Sequence, residues 1–308
     1  MNEQEITLRL ENVTKRYGEF TAVDNLSLNV RAGRIFGFLG PNGAGKTSTI
    51  RMIVGITAPD TGEIELFGER GVSPSLQDRI GYLPEERGLY RKMRIVDQLR
   101  YFAALKNLPA KKADERMDLW LERVGLKDWK TKKAADLSKG MQQKIQFISA
   151  VLHDPDLIVL DEPFSGLDPV NVELLIEIVL ELKAAGKTII FSTHLMETAE
   201  RLCDDIILIN RSKMVLGGRL REVKSSFTRN LVAIRVVGGN GVLNDKDLVA
   251  KVIEHSDELE ILLQENANPQ ILLKNLIESG ATITKFELIE PSLNDIFIEK
   301  VGERNVNA

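Results

Sequence analysis

Two periods of apolar residues alternate along this chain. Segments 6–10, 26–30 and 35–39 are short, rich in branched aliphatics and bounded by turn residues, which predicts strands. The third runs into a glycine-rich loop, and 46–54 then takes helical spacing. Segments 63–67 and 79–83 predict further strands. From residue 93 the spacing lengthens, predicting helices over 95–107, 113–124 and 138–152. In the last of these Met141, Ile145, Ile148, Ser149 and Leu152 share one face. Alternation then resumes: strand 157–160, helix 170–185, strand 188–191, a helix from Met196, strand 206–209.

Strands alternating with helices predict a parallel sheet with crossover helices, so the fold class is α/β, with 93–150 a helical insertion into the sheet. The pattern breaks near 224–230. Beyond it come strand 231–237, helix 248–255, strand 259–264, helix 269–279, strand 282–289 and helix 293–301. That order predicts a small α+β domain of the ferredoxin-like kind. The expected domains are therefore 1–224, carrying the insertion, and 225–308.

Composition sharpens this picture at three points. Among 308 residues, 43% are hydrophobic and 28% charged, with a net charge of −4, which gives no general attraction to nucleic acid. The second domain is the acidic part, with 8 basic and 13 acidic side chains. The single cysteine, Cys203, excludes an internal disulfide or a multi-cysteine zinc site, and its apolar setting suggests packing. The start lacks the apolar stretch of a secretory leader, and the longest apolar runs are strand-length. The expectation is a chain that meets a membrane only through a partner.

The candidate chemistry begins at Gly40-Pro41-Asn42-Gly43-Ala44-Gly45-Lys46-Thr47-Ser48. The first eight residues fit G-x-x-x-x-G-K-[ST] in full, between an apolar strand and a helix. Glycines let backbone N–H groups approach a phosphate, and the helix N-terminus adds a positive dipole. Lys46 suits the β- and γ-phosphates, and the Thr47 hydroxyl suits Mg²⁺. The loop specifies a P-loop NTPase that binds a nucleoside triphosphate, and no more than that. A second element is the strand 157–160, which ends on Asp161 and Glu162. Asp161 suits the Mg²⁺ shell, and Glu162 is placed to polarise an attacking water.

Leu137-Ser138-Lys139-Gly140-Met141-Gln142-Gln143 resembles the signature of the ATP-binding cassette (ABC) ATPases, opening a helix with Ser138 at its N-cap. Lys139 and Met141 depart from the usual pattern, so the resemblance transfers nucleotide contact only to Ser138 and Gly140. Lys139 either adds charge near the nucleotide or points to solvent. The order of motifs extends the resemblance. Pro163-Phe164-Ser165-Gly166-Leu167-Asp168 resembles the D-loop, with Asp168 its acidic member. Phe191-Ser192-Thr193-His194 resembles the segment ending on the switch histidine, which implies that His194 holds Glu162, water and the γ-phosphate in register. Tyr17 matches the position of an aromatic that stacks on adenine, and packing is its other reading. Glu85 stands where the family usually has glutamine, so a role at Mg²⁺ or water is open to it. The stretch Pro84-Glu85-Glu86-Arg87-Gly88-Leu89-Tyr90 and the extension containing Pro291-Ser292-Leu293-Asn294-Asp295-Ile296-Phe297 are similar to the sodium- and drug-efflux branch.

The resemblance implies ATP and Mg²⁺ as cofactors and ATP hydrolysis. It implies a homodimer in which each site is completed by the second copy, and a separate membrane permease bound at the cytoplasmic face. The helical insertion would then present a groove to that permease. An exporter is the leading expectation. The alternative is an ABC ATPase that regulates a membrane protein in signalling or envelope assembly without moving solute.

Overall fold

The computed structural model describes residues 5–306, apart from 87, 228–230, 255–257 and 265–266. The chain divides into two compact units, Met1–Leu220 and Arg221–Ala308. The larger unit runs β1 (Ile6–Tyr17), β2 (Phe20–Arg31), β3 (Ile35–Leu39), α1 (Lys46–Ile53), β4 (Thr61–Leu66), β5 (Glu69–Arg70), α2 (Pro74–Asp78) and β6 (Ile80–Leu83). It continues through α3 (Ile95–Leu105), α4 (Ala110–Arg123), two 3₁₀ turns, α5 (Lys139–Val151), β7 (Leu157–Asp161), α6 (Pro169–Ala184), β8 (Thr188–Thr193), α7 (Met196–Leu202), β9 (Asp205–Asn210) and β10 (Lys213–Arg219).

Two sheets form its frame. The first is antiparallel, in the order β2-β1-β4-β5. The second has the order β10-β9-β3-β8-β7-β6, all parallel except β10. Strands β3, β7 and β8 are buried at every position, as expected of a parallel sheet covered on both faces. Side chains from both sheets and from α1, among them Leu8, Val30, Phe38, Ile50 and Val159, share one core. The register pairs Leu39 with Thr193 and with Leu208, and Asp161 with Ser192. The carboxyl ends of four neighbouring strands therefore finish level, at the edge where ligands bind in open α/β sheets.

The helical segment consists of α3, α4, the 3₁₀ turns and α5. Helix α5 is more deeply covered than one apolar face requires, because Gln143, Lys144 and Gln146 are buried as well. Their polar ends reach backbone carbonyls of Pro163, Val124 and Glu86. Cys203 is buried, and its Sγ occupies the space that a side chain on Gly37 would fill. Burial pushes its thiol pKa up, as befits a packed, unreactive cysteine. Among the described residues no helix is long and apolar enough to cross a membrane.

The second unit opens in α8 (Leu220–Ser226), which begins at the division, and continues β11 (Leu231–Val237), α9 (Asn240–Leu243), β12 (Val249–Glu254), β13 (Leu259–Leu263), α10 (Pro269–Glu278), β14 (Thr282–Leu288) and α11 (Leu293–Val306). Its sheet is antiparallel in the order β12-β13-β11-β14. This is the split β-α-β-β-α-β arrangement. One expected element differs: segment 248–255 is the strand β12, not a helix, and residue 255 lies outside the described residues.

Candidate functional site

The loop between β3 and α1 is built on glycines held at positive φ: Gly40 at 146°, Gly43 at 77° and Gly45 at 110°. Two of them are also forced by space. A Cβ on Gly40 would lie 2.1 Å from the Ile209 carbonyl oxygen, and one on Gly45 would lie 2.3 Å from that of Ala22. The loop borders a cavity of about 330 Å³ lined by Asn42, Gly43, Ala44, Gly45, Lys46, Thr47 and Ser48, with Phe20, Ala22, Glu85 and Glu162.

Lys46 is 6% exposed. Its Nζ donates to the Gly40 and Pro41 carbonyl oxygens at 2.7 and 3.2 Å and lies 3.7 Å from Glu162 Oε1. Burial pulls its pKa below the ordinary lysine value, and the carboxylates of Glu162, Asp161 and Glu85 oppose that shift. Lys46 is thus a caged ammonium surrounded by acid.

Asp161 closes β7, and Glu162 follows it outside the strand. Glu162 sits at φ 49°, a left-handed geometry that is unusual for a non-glycine residue and is found at functional sites. Ser192, on the neighbouring β8, serves both residues. Its hydroxyl accepts from the Glu162 N–H at 3.1 Å and donates a short hydrogen bond to Asp161 Oδ1. Asp161 Oδ2 is buried without a hydrogen-bond partner. Burial raises the Asp161 pKa, against the pull of the Ser192 hydroxyl. Asp161 keeps one carboxylate oxygen unpartnered, and the Thr47 hydroxyl acts on the same carboxyl, so Thr47 and Asp161 fit the Mg²⁺ expected of them.

His194 lies just past the end of β8. Its Nδ1 is 3.0 Å from Glu162 Oε1, and because the carboxylate only accepts, Nδ1 donates. Lys46, Glu162 and His194 therefore form one contiguous group. The Thr47 hydroxyl contacts Glu85 Oε2 at 3.5 Å, joining the residue that replaces glutamine to the same cluster.

Other sequence-predicted residues lie elsewhere. Ser138 caps α5, accepting from the Met141 N–H at 3.3 Å, and the exposed Lys139 follows it. Gly140 faces Leu167, and neither it nor Ser138 lines the cavity. Asp168 caps α6, accepting from the Asn171 N–H at 3.0 Å, and this bond lowers its pKa. Tyr17 is exposed, with the Lys15 ammonium 5.7 Å from its ring centre. Its cross-strand partner Phe20 is the aromatic that lines the cavity. Arg87, in the efflux-like stretch, lies outside the described residues.

Sequence reasoning missed Ser192 and Phe20. Ser192 was signalled by a hydroxyl closing an apolar strand beside the acidic one. Phe20 was signalled by an aromatic two residues past the Tyr17-Gly18 turn.

Comparison with known proteins agrees with this geometry. The ABC transporter family matches residues 23–165, and the C-terminal domain of DrrA1-3-like ATP-binding proteins matches 218–301. The uncharacterized ABC transporter ATP-binding protein YhaQ of Bacillus subtilis is 47% identical over 296 residues, covering 96% of this chain and 98% of that protein. The Nod factor export ATP-binding protein I of Ralstonia nicotianae is 40% identical over 218 residues, covering 70% of this chain and 68% of that protein. A solved structure of the ATP-binding subunit of an ABC transporter overlays with a TM-score of 0.67 at 31% identity, covering 72% of this chain and 93% of that one. A full phosphate loop, a buried acid pair and likeness over nearly the whole chain converge on one conclusion: the chain belongs to the ATP-binding proteins of ABC transporters and is an ATPase.

Proposed function

We propose that this chain is the ATP-hydrolysing motor of an export system, acting on a separate membrane permease from the cytoplasmic face. The observation that carries the reading is a divided site. The cavity holds the phosphate loop, Glu162 and Glu85, while Ser138 and Gly140 lie outside its lining. A second copy related by a two-fold axis would bring its own Ser138 and Gly140 to the open side, giving two nucleotides per homodimer. Export is supported by the likeness to the Nod factor export protein. A second groove of about 330 Å³, lined by Tyr82, Leu89, Phe102 and Leu105, suits an apolar segment of the permease.

In this reading Phe20 and Tyr17 flank the base, and the loop from Gly40 to Ser48 wraps the phosphates. Lys46 gives up its two carbonyl contacts to meet the β- and γ-phosphates. Thr47 and Asp161 would hold Mg²⁺, which would supply charge neutralisation for the transferring group. Glu162 takes the proton of the attacking water, and His194 fixes that carboxylate through Nδ1. Asp168 stands at the end of the loop that follows Glu162, on the side assigned to the second copy. The exchange of ATP binding for hydrolysis closes and reopens the dimer.

Glu162→Gln tests both halves of the reading. Hydrolysis should fall by about 10²–10⁴-fold, as expected on losing a general base. Size-exclusion chromatography with ATP and Mg²⁺ should show the variant as a dimer. A variant that stays monomeric under saturating ATP would overturn the dimer mechanism.

A further inference from the structure

Two basic stretches, far apart in the sequence, are laid side by side on the helical segment. The Ala135 N–H donates to the Arg91 carbonyl at 2.9 Å and that of Ala134 to Met93 at 3.1 Å. In return Ile95 donates to Lys132 at 3.0 Å and Val96 to Lys130 at 2.9 Å. Arg94 and Lys133 form the antiparallel bridge between the stretches. Ile95 and Ala134 are buried beneath this pairing, while Arg91, Lys92, Arg94, Lys132 and Lys133 are exposed outside it. Arg94 is answered by Asp97, and Lys130 by Asp118. Arg91, Lys92, Lys132 and Lys133 have no ion-pair partner among the described residues. Asp128 and Asp136 are the remaining acids nearby in sequence, and Asp136 turns its carboxylate to the Lys133 backbone N–H at 3.2 Å. The strip is therefore a local excess of positive charge. An aromatic margin adjoins it. Tyr90 and Tyr101 are 51% and 44% exposed, with ring centres 6.1 Å apart, and Tyr90 also stacks on Phe102. Phe102 and Leu89 line the apolar groove. Groove, aromatic pair and cations thus follow one another on the surface.

We propose that this strip rests on an anionic lipid surface while the groove beside it holds the permease. This rests on the motor reading, because a groove occupied by a membrane protein turns its border toward the bilayer. Lysine and arginine side chains without partners gain from the negative potential of an anionic leaflet, and only within a Debye length of it. Tyrosine, with an apolar ring and a polar tip, suits the level of the lipid headgroups. The net charge of −4 gives the chain as a whole no pull toward such a surface, so the attraction belongs to this face alone.

The test is co-sedimentation of the full-length chain with vesicles of phosphatidylcholine, alone or with about one third phosphatidylglycerol. Wild type should bind the anionic vesicles, leave them as salt rises, and ignore the neutral ones. Arg91→Gln, Lys92→Gln, Lys132→Gln and Lys133→Gln together should weaken binding by about a hundredfold or more. All four residues are exposed and none lines the phosphate cavity, so folding and vesicle-free ATP hydrolysis should match wild type. Lys132→Gln with Lys133→Gln should weaken binding by about tenfold or more. Lys246→Gln with Lys251→Gln, an equal loss of charge from exposed lysines of the smaller unit, should leave it unchanged. Failure of wild type to bind anionic vesicles, or equal weakening by the two pairs, overturns the proposal. So does binding of polyglutamate without binding of vesicles, which would mark an acidic protein as the partner. ATP hydrolysis without vesicles reports on the motor alone. If it persists while vesicle binding is absent, only the lipid assignment falls. If it is absent, the motor reading itself fails.

Discussion

In the larger unit the ends of β3, β7 and β8 bury an ammonium and two carboxylates: Lys46, Asp161 and Glu162. In the smaller unit the described core is aliphatic, formed by Val232, Ile234, Leu248, Val249, Ile261, Leu263, Leu272 and Leu276. Both units are mixed α and β, and both pack helices on sheets. They differ in what they tolerate inside. Buried charge costs several kcal/mol unless something meets it, so a fold keeps it where a ligand does the meeting. An aliphatic core needs no ligand and has only to hold its shape. The phosphate edge is thus built around something it must bind, and the smaller unit shows no such demand among its described residues.

The largest effect expected from this contrast falls on the loop itself. Gly40→Ala places a Cβ against the Ile209 carbonyl at a backbone angle that alanine rarely adopts. Strain and overpacking together should cost about 4 kcal/mol. Thermal melting and binding of a fluorescent nucleotide should both suffer. A variant that melts and binds like wild type would break the claim that backbone closeness shapes this edge.

The core of the smaller unit should respond differently. Leu272 is fully buried on α10, so Leu272→Ala should destabilise that unit by about 3 kcal/mol through the cavity it leaves. Nucleotide affinity should stay at the wild-type value, because the residues that line the phosphate cavity belong to the larger unit. Equal loss of nucleotide binding would show that the two interiors are not separable in the way their contents suggest.

The phosphate edge was also the more legible region in the sequence. Strands β3, β7 and β8 are short, centred on apolar runs and flanked by turn residues, so burial on both faces announces them. Lys46, Asp161 and Glu162 could be named because each stands at a strand or loop end where its residue type is chemically unusual, whereas His194 was named from the order of motifs that carries the family resemblance. Strands β1 and β2 were seen only in part. Asn12 and Asn25 take positive φ and the pairing shifts register around them, so alternation breaks and the polar halves do not look like strand.

The misread segment has a similar cause. Val249 and Val252 are three apart, a helical spacing. In β12 they nevertheless face the same way, because a bulge between Val249 and Lys251 inserts one residue: Val249 pairs with Leu263 and Val252 with Ile261. Ser192 and Phe20 were missed because their roles depend on a neighbouring strand. Nothing local says that a serine on β8 will lie beside Asp161, a pairing fixed only when β7 and β8 form their ladder.

A gentler probe of the same contrast uses pH. His153, just past the end of α5, donates from Nε2 to the Ile80 carbonyl at 3.1 Å. Burial pushes its pKa down to about 4, and the charges of Lys106 and Arg116 push the same way. The Ile80 carbonyl and Asp78 oppose them. The unfolded chain takes this proton near pH 6.5, while the folded chain resists it until about pH 4. Between those values the unfolded state binds more protons, so stability contributed by the neutral ring is intact above the upper value and lost as pH falls through the window. The loss should reach about 2 kcal/mol, allowing for the ring's partial exposure. His153→Gln keeps an N–H donor and removes the titration, so denaturant unfolding of the larger unit should lose that part of its acid sensitivity. The smaller unit's aliphatic core supplies no such group, and Leu272→Ala should lower its stability by the same amount at both ends of the window. If His153→Gln leaves the acid dependence of the larger unit unchanged, the ring takes its proton at the same pH in the folded and unfolded chain, and burial of His153 is not what makes the larger unit acid-sensitive.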